Sequence, residues 1–329
     1  MILRHSILIA SFALAALCMT LRADDPDHVG IQFPAIELES LSQTKAKSFD
    51  DFQGRALLVV FFAYWGGGSG EHVPRLNDLH AQYDAKGLSV IGVTIDRKDK
   101  TEAWMVDNKV QYAIGYDKGG KYQNQLGITQ VPEGLLIDPS GKVVWEGLPQ
   151  DLESRAVEKA LAGAFTTPMW DWTTNAKPVR VALAKHKYGE ALSEANKLGA
   201  ADPGPAIAAE IQKLVTWHVD SLKALLDAGD LLRASEGADA LAVELDGLPE
   251  VREAKKTQDA IKANKDAERI IRGQKSVREI KNGKLSTAKD IDEAIAKLEK
   301  LAKANAGSIV EVETKALLDD LTARKRASK

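Results

Sequence analysis

Cysteine is nearly absent from this sequence. Among its 329 residues the only cysteine is Cys18, close to the start of the chain. If Cys18 is removed during maturation, the remaining chain has no disulfide, no thiolate nucleophile and no cysteine ligand for a metal. We expect neither a metal site nor another cofactor.

An excess of charge of either sign is absent as well. The chain has 44 Lys and Arg residues against 47 Asp and Glu residues, for a formal net charge of -3. This balance offers no electrostatic basis for binding nucleic acid. Hydrophobic residues make up 44% and charged residues 28%, as in ordinary globular proteins. The length predicts about two domains and leaves the oligomeric state open.

A hydrophobic run long enough to cross a membrane is not found at the N-terminus. The apolar run Ser6–Leu17 is shorter than the roughly 20 residues that a span requires. It follows Arg4 and is followed by Leu21-Arg22-Ala23, a pattern typical of a signal peptide and its cleavage site. We predict a signal peptide over residues 1–23, whose removal takes Cys18 away and leaves no membrane span. The protein is then periplasmic or extracellular.

Lipidation is the other possible fate of Cys18. Lipoprotein processing requires a small residue before the cysteine, and Leu17 is bulky. We therefore favour removal of Cys18 with the signal peptide.

Apolar runs and helical stretches alternate over residues 33–164, after a polar lead at 24–32. The run Arg55–Ala63 is almost continuously apolar, which favours a strand buried on both faces. Two short strand-like segments flank the turn Pro139-Ser140-Gly141 and predict a closing hairpin. The pattern predicts an α/β domain with a mixed sheet covered by helices on both faces.

The composition changes beyond residue 164. Residues 165–177 are interpreted as a linker that carries Trp170 and Trp172 as packing residues. Residues 178–329 are rich in Ala, Leu, Lys and Glu and predict an all-α domain of helical hairpins. Short segments there resemble pieces of tetratricopeptide helix pairs, without a regular repeat.

Three details of the helical region are predicted from periodicity. One helix is expected over 179–198, and a longer polar helical stretch from Glu250 to Lys281. His218 falls on the apolar face of a third helix. We interpret it as a core histidine with its hydrogen bonds satisfied, rather than as a metal ligand.

Several motifs of residues 33–164 resemble the redoxin (AhpC/TSA) branch of the thioredoxin superfamily. They are Phe52-Gln53-Gly54-Arg55, Phe61-Phe62-Ala63-Tyr64-Trp65, Pro74, and Gly127-Ile128-Thr129-Gln130-Val131-Pro132 with the hairpin after it. The greatest similarity is to exported TlpA/ResA-type thiol–disulfide oxidoreductases. The resemblance implies a thioredoxin-like fold and a cis peptide bond between Val131 and Pro132.

The sequence departs from this family at the positions that carry its chemistry. Members have Trp-Cys-x-x-Cys, whereas this chain has Trp65-Gly66-Gly67-Gly68-Ser69. Gly66 and Ser69 replace the two cysteines, and His72 stands where such members often have a glutamate. Disulfide exchange requires a thiolate that attacks sulfur, and neither glycine nor serine supplies one. We therefore predict no catalytic residues here.

The glycine-rich loop has other interpretations. Backbone amides at a helix N-terminus can bind an anion. Small residues, or Ser69 as an N-cap, can equally be what remains of a site without chemical function. A serine hydrolase would need a base such as His72, and no nucleophile-elbow pattern surrounds Ser69.

The resemblance also implies a groove for an extended peptide. Its candidate residues are Trp65, Gly67, Gly68, Val131 and Pro132, with strand-like pairing to the peptide. The alternative is that the proline only shapes its loop. Glu133 stands where the family usually has a small polar residue, which weakens the groove.

We therefore predict an exported thioredoxin-like protein that binds a protein or an extended peptide without catalysis. The alternative implied by the resemblance is a thiol–disulfide oxidoreductase or a peroxide-reducing redoxin. In a third hypothesis the helical domain alone recognises the partner, and the thioredoxin-like domain is a scaffold.

The processed protein should contain no thiol. If the signal peptide is removed after Ala23, titration of the denatured, exported protein with a thiol reagent yields no product, since Cys18 has left. One thiol per chain would show that Cys18 is retained.

Overall fold

The computed structural model describes residues 28–327 except Ala35, Gly67, Ala201, Lys284 and Ser286. The predicted signal peptide lies outside the described residues. None of the described helices is both long enough and apolar enough to cross a membrane.

A six-stranded mixed sheet lies at the centre of residues 28–164. Its strands are β1 (Ser40–Ser42), β2 (Ala56–Phe61), β3 (Leu88–Thr94), β4 (Ala113–Tyr116), β5 (Glu133–Ile137) and β6 (Val143–Gly147). Their order is β1-β4-β3-β2-β5-β6, with β2, β3 and β4 parallel to one another. Every residue of β2 and β3 is buried, as the apolar run predicted. The short edge strand β1 was not predicted.

Helices cover both faces of this sheet. They are α1 (Val73–Tyr83), α2 (Lys98–Asp107), α3 (Lys121–Gln125) and α4 (Ser154–Ala160). Side chains of α1, α2 and α4, such as Leu79, Met105 and Val157, share one hydrophobic core. On the other face Tyr122 of α3 joins Phe49 and the rest of a second core. The predicted α/β architecture is confirmed.

The rest of the described chain is helical. Its helices are α5 (Lys177–Ala184), α6 (Tyr188–Lys197), α7 (Gly204–Asp227), α8 (Leu231–Glu244), α9 (Val251–Ala263), α10 (Ala267–Lys281), α11 (Ala288–Ala304) and α12 (Ile309–Ala327). Consecutive helices pack together as α5 with α6, α8 with α9 and α11 with α12. The predicted all-α region is confirmed, and its likeness to tetratricopeptide repeats stays a prediction.

The helix predicted over 179–198 is in fact two helices. His186 adopts a left-handed conformation with φ of 53°, and the amide of Lys187 donates to the carbonyl of Ala182 at 3.0 Å. This is the hydrogen bond of a Schellman C-cap, in which glycine usually takes the left-handed position. Because histidine occupies it here, the sequence carried no stop signal.

The stretch predicted from Glu250 to Lys281 is likewise divided, between α9 and α10. The Oδ1 atom of Asn264 accepts a hydrogen bond from the amide of Asp266 at 2.9 Å. This local turn of an asparagine side chain competes with the helical backbone and ends α9.

Residues 165–177, predicted as a linker, contain two short 3-10 helices and several buried side chains. Phe165 and Trp172 lie in the core of the helical region, with ring centroids 5.7 Å apart. Trp170 instead packs edge-on against Phe52, at 5.0 Å. We call residues 28–164 the sheet domain and residues 165–327 the helical domain; where the chain divides into domains stays a prediction.

A buried arginine joins the two domains. Arg55, immediately before β2, is 1% exposed and donates six hydrogen bonds. The acceptors are Ser89 Oγ, Asp84 Oδ1 and the carbonyl oxygens of Asp84, Leu88, Phe165 and Thr166, at 2.7 to 3.2 Å. The guanidinium thus links the first turns of the helical domain to α1 and β3.

Close packing accompanies this link. Gly54 has φ of 77°, and a Cβ atom there would lie 2.3 Å from the Phe165 ring. The amide of Phe165 donates to the carbonyl of Gly54 at 2.6 Å. Both contacts precede β2, whose six residues extend about 20 Å at roughly 3.3 Å each. The helical domain therefore lies at one end of β2, and the predicted site follows the other end.

Replacing Arg55 should destabilise the protein strongly. In Arg55→Ala, the carbonyl oxygens of Leu88 and Phe165 and the Ser89 hydroxyl lose a buried donor, for which we expect about 2–4 kcal/mol less stability in urea unfolding. Arg97→Ala is the matched control, because Arg97 pairs with Asp99 at the surface and should cost under about 1 kcal/mol. Equal effects of the two substitutions would contradict this role of Arg55.

Candidate functional site

Trp65, Gly68, Val131 and Pro132, four of the five predicted groove residues, lie in loops at the carboxyl end of β2. The antiparallel pairing of β2 with β5 ends at Phe61 and Glu133. Pro132, directly before Glu133, therefore lies at the same end of the sheet as the loop that follows β2. The peptide bond between Val131 and Pro132 is cis, as the resemblance implies.

Trp65 is the most exposed aromatic side chain that this end of the sheet presents, with 70% of its surface accessible. Its indole Nε1 donates to Asp96 Oδ1 at 3.0 Å, and the amide of Tyr64 donates to Asp96 Oδ2 at 2.8 Å. Asp96 thus holds an exposed indole in one orientation. An oriented, exposed tryptophan is the kind of side chain that anchors a protein partner.

Sequence reasoning missed Asp96 as a site residue. The available signal was its position after β3, because β2 and β3 are parallel and their carboxyl ends meet at one edge of the sheet. Asp96 also lines a cavity of about 470 Å³ at this edge, together with Ile95, Tyr116 and Lys118.

The charges around this cavity balance each other. Three cationic side chains line it, those of Arg97, Lys98 and Lys118, and so do three carboxylates, those of Glu39, Asp96 and Asp117. The cavity therefore favours no ion of one sign. Among the described residues, no group of three or more His, Cys, Asp and Glu side chains is placed to hold a metal ion.

The amides of the glycine-rich loop are largely used within the loop. The amide of Gly66 donates to the Ala63 carbonyl at 3.0 Å, that of Ser69 to Gly66 at 3.2 Å, and that of Glu71 to Gly68 at 3.0 Å. These three donors are not available to an anion. The anion-binding interpretation therefore gains no support from them.

Ser69 is buried, at 4% exposure, and its hydroxyl has no hydrogen-bond partner within the described part of the chain. It does not cap the helix with its side chain. No histidine approaches it as a base, so the arrangement lacks the nucleophile–base hydrogen bond that a serine hydrolase requires.

His72 lies in the 3-10 turn between this loop and α1 and is 8% exposed. Burial lowers the pKa of His72, and the nearby carboxylates of Glu71 and Asp151 offset part of that effect. The imidazole is therefore neutral at physiological pH. It therefore carries no negative charge at this position.

Gly68, Gly67 and Glu133 are the remaining positions of the predicted groove and its surroundings. Gly68 has φ of 105°, a backbone conformation that disfavours any other residue. Gly67, predicted as part of the groove, lies outside the described residues. Glu133 is buried at 1% exposure in the first position of β5, directly after the proline.

The backbone at Gly66 and Ser69 retains a spacing that suits a disulfide. A Cβ atom built on Gly66 would lie 3.4 Å from Ser69 Oγ and 3.2 Å from the Ala63 carbonyl oxygen. Within a disulfide the Cβ atom of one cysteine lies about 3 Å from the Sγ atom of the other, given an S–S bond of about 2.05 Å, so side chains at these two positions are close enough for a disulfide.

Comparisons with known proteins agree with this geometry. Residues 29–146 match the model of the AhpC/TSA family. Thiol-disulfide oxidoreductase ResA of Bacillus thuringiensis subsp. konkukian is 26% identical over 120 residues, which cover 36% of this chain and 69% of ResA. Thiol:disulfide interchange protein HelX of Rhodobacter capsulatus is 26% identical over 140 residues, which cover 41% of this chain and 77% of HelX.

Solved structures include similar chains. A crystal structure of the thioredoxin domain of a thiol-disulfide oxidoreductase from Bacteroides vulgatus is 23% identical, with a TM-score of 0.36. The alignment covers 40% of this chain and 97% of that chain.

Two cysteines should restore a disulfide to this loop. In Gly66→Cys/Ser69→Cys, made with Cys18→Ser, we expect an intramolecular disulfide to form in air, because the backbone spacing is already suitable. Mass spectrometry would detect the loss of two hydrogen atoms. The two single-cysteine variants are the controls, and a double variant that stays fully reduced or only dimerises would contradict the retained geometry.

Sheet order, the cis peptide bond and the family match all concern the same part of the chain. The family match extends over residues 29–146, from before the first strand to the closing hairpin. The sheet domain is therefore a thioredoxin-like domain, and its residues 29–146 match the AhpC/TSA family.

Proposed function

We propose that this chain is an exported thioredoxin-like protein that binds an extended segment of a protein partner and performs no thiol–disulfide exchange. Its place of action is the cell envelope or the medium outside the cell. The observation that carries the proposal is the pair Gly66 and Ser69 at the start of the first long helix, in a chain without cysteine after Cys18.

The chemical part of the proposal rests on what an exchange reaction needs. A thiolate must attack a disulfide and form a mixed disulfide, which a second thiol resolves. Gly66 has no side chain, and the Ser69 hydroxyl is buried. A peroxide-reducing redoxin also depends on a reactive cysteine. Gly66 and Ser69 therefore disfavour peroxide reduction as well as thiol–disulfide exchange.

The binding part of the proposal rests on the surface around Trp65. The indole is exposed and oriented by Asp96, and Ile95 beside it is 49% exposed. The main chain of Val131 makes no hydrogen bond to another described residue, which leaves its polar groups for pairing with an extended peptide. The helical domain contacts the opposite end of β2 and so leaves this surface uncovered.

A peptide-selection experiment tests the proposal. Peptides displayed on phage are selected on the full chain, and the affinity of the enriched peptides is measured by calorimetry. We expect Trp65→Ala to weaken binding at least about 30-fold, the effect of a hot-spot side chain worth about 2 kcal/mol.

A second exposed apolar residue provides the matched control. Val243 on α8 is 74% exposed, and Val243→Ala should leave the affinity within about twofold. If no peptide is enriched, or if Trp65→Ala binds as well as the unchanged protein, the site does not bind peptides. Loss of binding in Val243→Ala alone would favour the helical domain as the recognition surface.

A further inference from the structure

Helix α7 packs against residues 163–166, where the sheet domain joins the helical domain, at a contact separate from Arg55; of these residues Gly163 and Ala164 belong to the sheet domain. The Nζ atom of Lys213 donates to the carbonyl of Ala164 at 2.6 Å, and the amide of Thr166 donates to Glu210 at 3.2 Å. One turn further, Trp217 packs so closely on Gly163 that a Cβ atom there would lie 2.7 Å from the indole. We call this set of contacts the α7 contact.

His218 directly follows Trp217 on this helix. Its ring lies 5.1 Å from the rings of Trp217 and Tyr188. Its Nε2 atom is inaccessible to solvent and has no hydrogen-bond partner among the described residues. The interpretation of His218 as a satisfied core histidine is therefore wrong for Nε2. A buried nitrogen without a partner disfavours the charged imidazolium.

The charges nearest to His218 are also unfavourable for protonation. Lys142, from the turn between β5 and β6, and His186, from the turn between α5 and α6, both disfavour a positive charge on its ring. With burial as the main cause, the pKa of His218 is lowered to about 4.

Acidic groups face the neighbours of His218. The negative charge of Asp50 opposes the lowering of the His186 pKa by burial. Burial raises the pKa of the Tyr188 hydroxyl, and the charges of Glu244 and Asp138 add to this effect. The Oδ1 atom of Asp138 accepts hydrogen bonds from the amide and hydroxyl of Ser140 and from the amide of Lys142. His218 is thus faced by Lys142 from the sheet domain and by the titratable ring of His186 from its own domain, and no carboxylate is among the groups that act on it.

We propose that His218 is a pH-sensitive element of the α7 contact: while neutral it allows α7 to pack against residues 163–166, and when protonated it separates α7 from the sheet domain. Separation brings water to the imidazolium and increases its distance from Lys142. Because the pKa is lower in the closed state, closure is fully favoured above about pH 6.5 and is lost as the pH falls toward 4. This inference does not depend on the proposed function.

Spin-label distances in the full chain test the proposal. Labels on Val144→Cys in β6 and Val181→Cys in α5, with Cys18→Ser, report on the two domains, since both valines are exposed. We expect one narrow distance distribution at about pH 7.5 and a longer, broader one at about pH 4.5, on either side of the ordinary histidine pKa. Far-UV circular dichroism should keep its helical signal at both values.

Two further variants make the test specific. His218→Phe keeps an aromatic ring without a titrating proton, so its distribution should not change with pH. In Lys142→Met one charge facing His218 is gone, so the transition should persist with its midpoint shifted to higher pH. An unchanged distribution in the parent chain, the same transition in His218→Phe, or loss of the helical signal together with the distance change would overturn the proposal.

Discussion

The hydrogen bonds of one buried guanidinium determine how the two domains of this protein are arranged. Arg55 donates to the carbonyl of Leu88 at the start of β3 and to those of Phe165 and Thr166 at the start of the helical domain, and Gly54 packs closely on the Phe165 ring beside it. An arginine is suited to this position because its planar fork satisfies several acceptors at once. Burial lowers the pKa of Arg55, and Asp84 is the strongest of the carboxylates that oppose this effect. The helical domain is thereby held at the end of β2 that is remote from Trp65.

This arrangement leaves the surface around Trp65 exposed at the other end of β2. The cis peptide bond before Pro132 and the orientation of Trp65 by Asp96 lie at that end. Relative to the dithiol motif the sequence differs at Gly66, Ser69 and His72, and Glu133 departs from the residue that usually follows the proline. Under the proposed function, these substitutions remove thiol exchange and leave the exposed, oriented indole for binding a partner.

Much of the fold was predictable because its signals are local. The continuous apolar run of β2 and the hairpin turn each specify an element through their own residues. The helix ends near His186 and Asn264 were missed because a histidine and an asparagine end the helices there, a role that glycine or proline usually has. The role of Asp96 was missed for another reason: it depends on two strands lying side by side, which no single segment encodes. The same holds for Arg55 and His218, whose partners come from distant parts of the chain.

The reduction of insulin disulfides tests whether the protein is inactive in thiol–disulfide exchange. The purified, processed full-length protein is added to insulin and dithiothreitol, and the precipitation of the free B chain is followed over time. We expect the B chain to precipitate at the same rate as with dithiothreitol alone at every protein concentration, because no thiolate is present to form a mixed disulfide. A rate that rises in proportion to the protein concentration would contradict it.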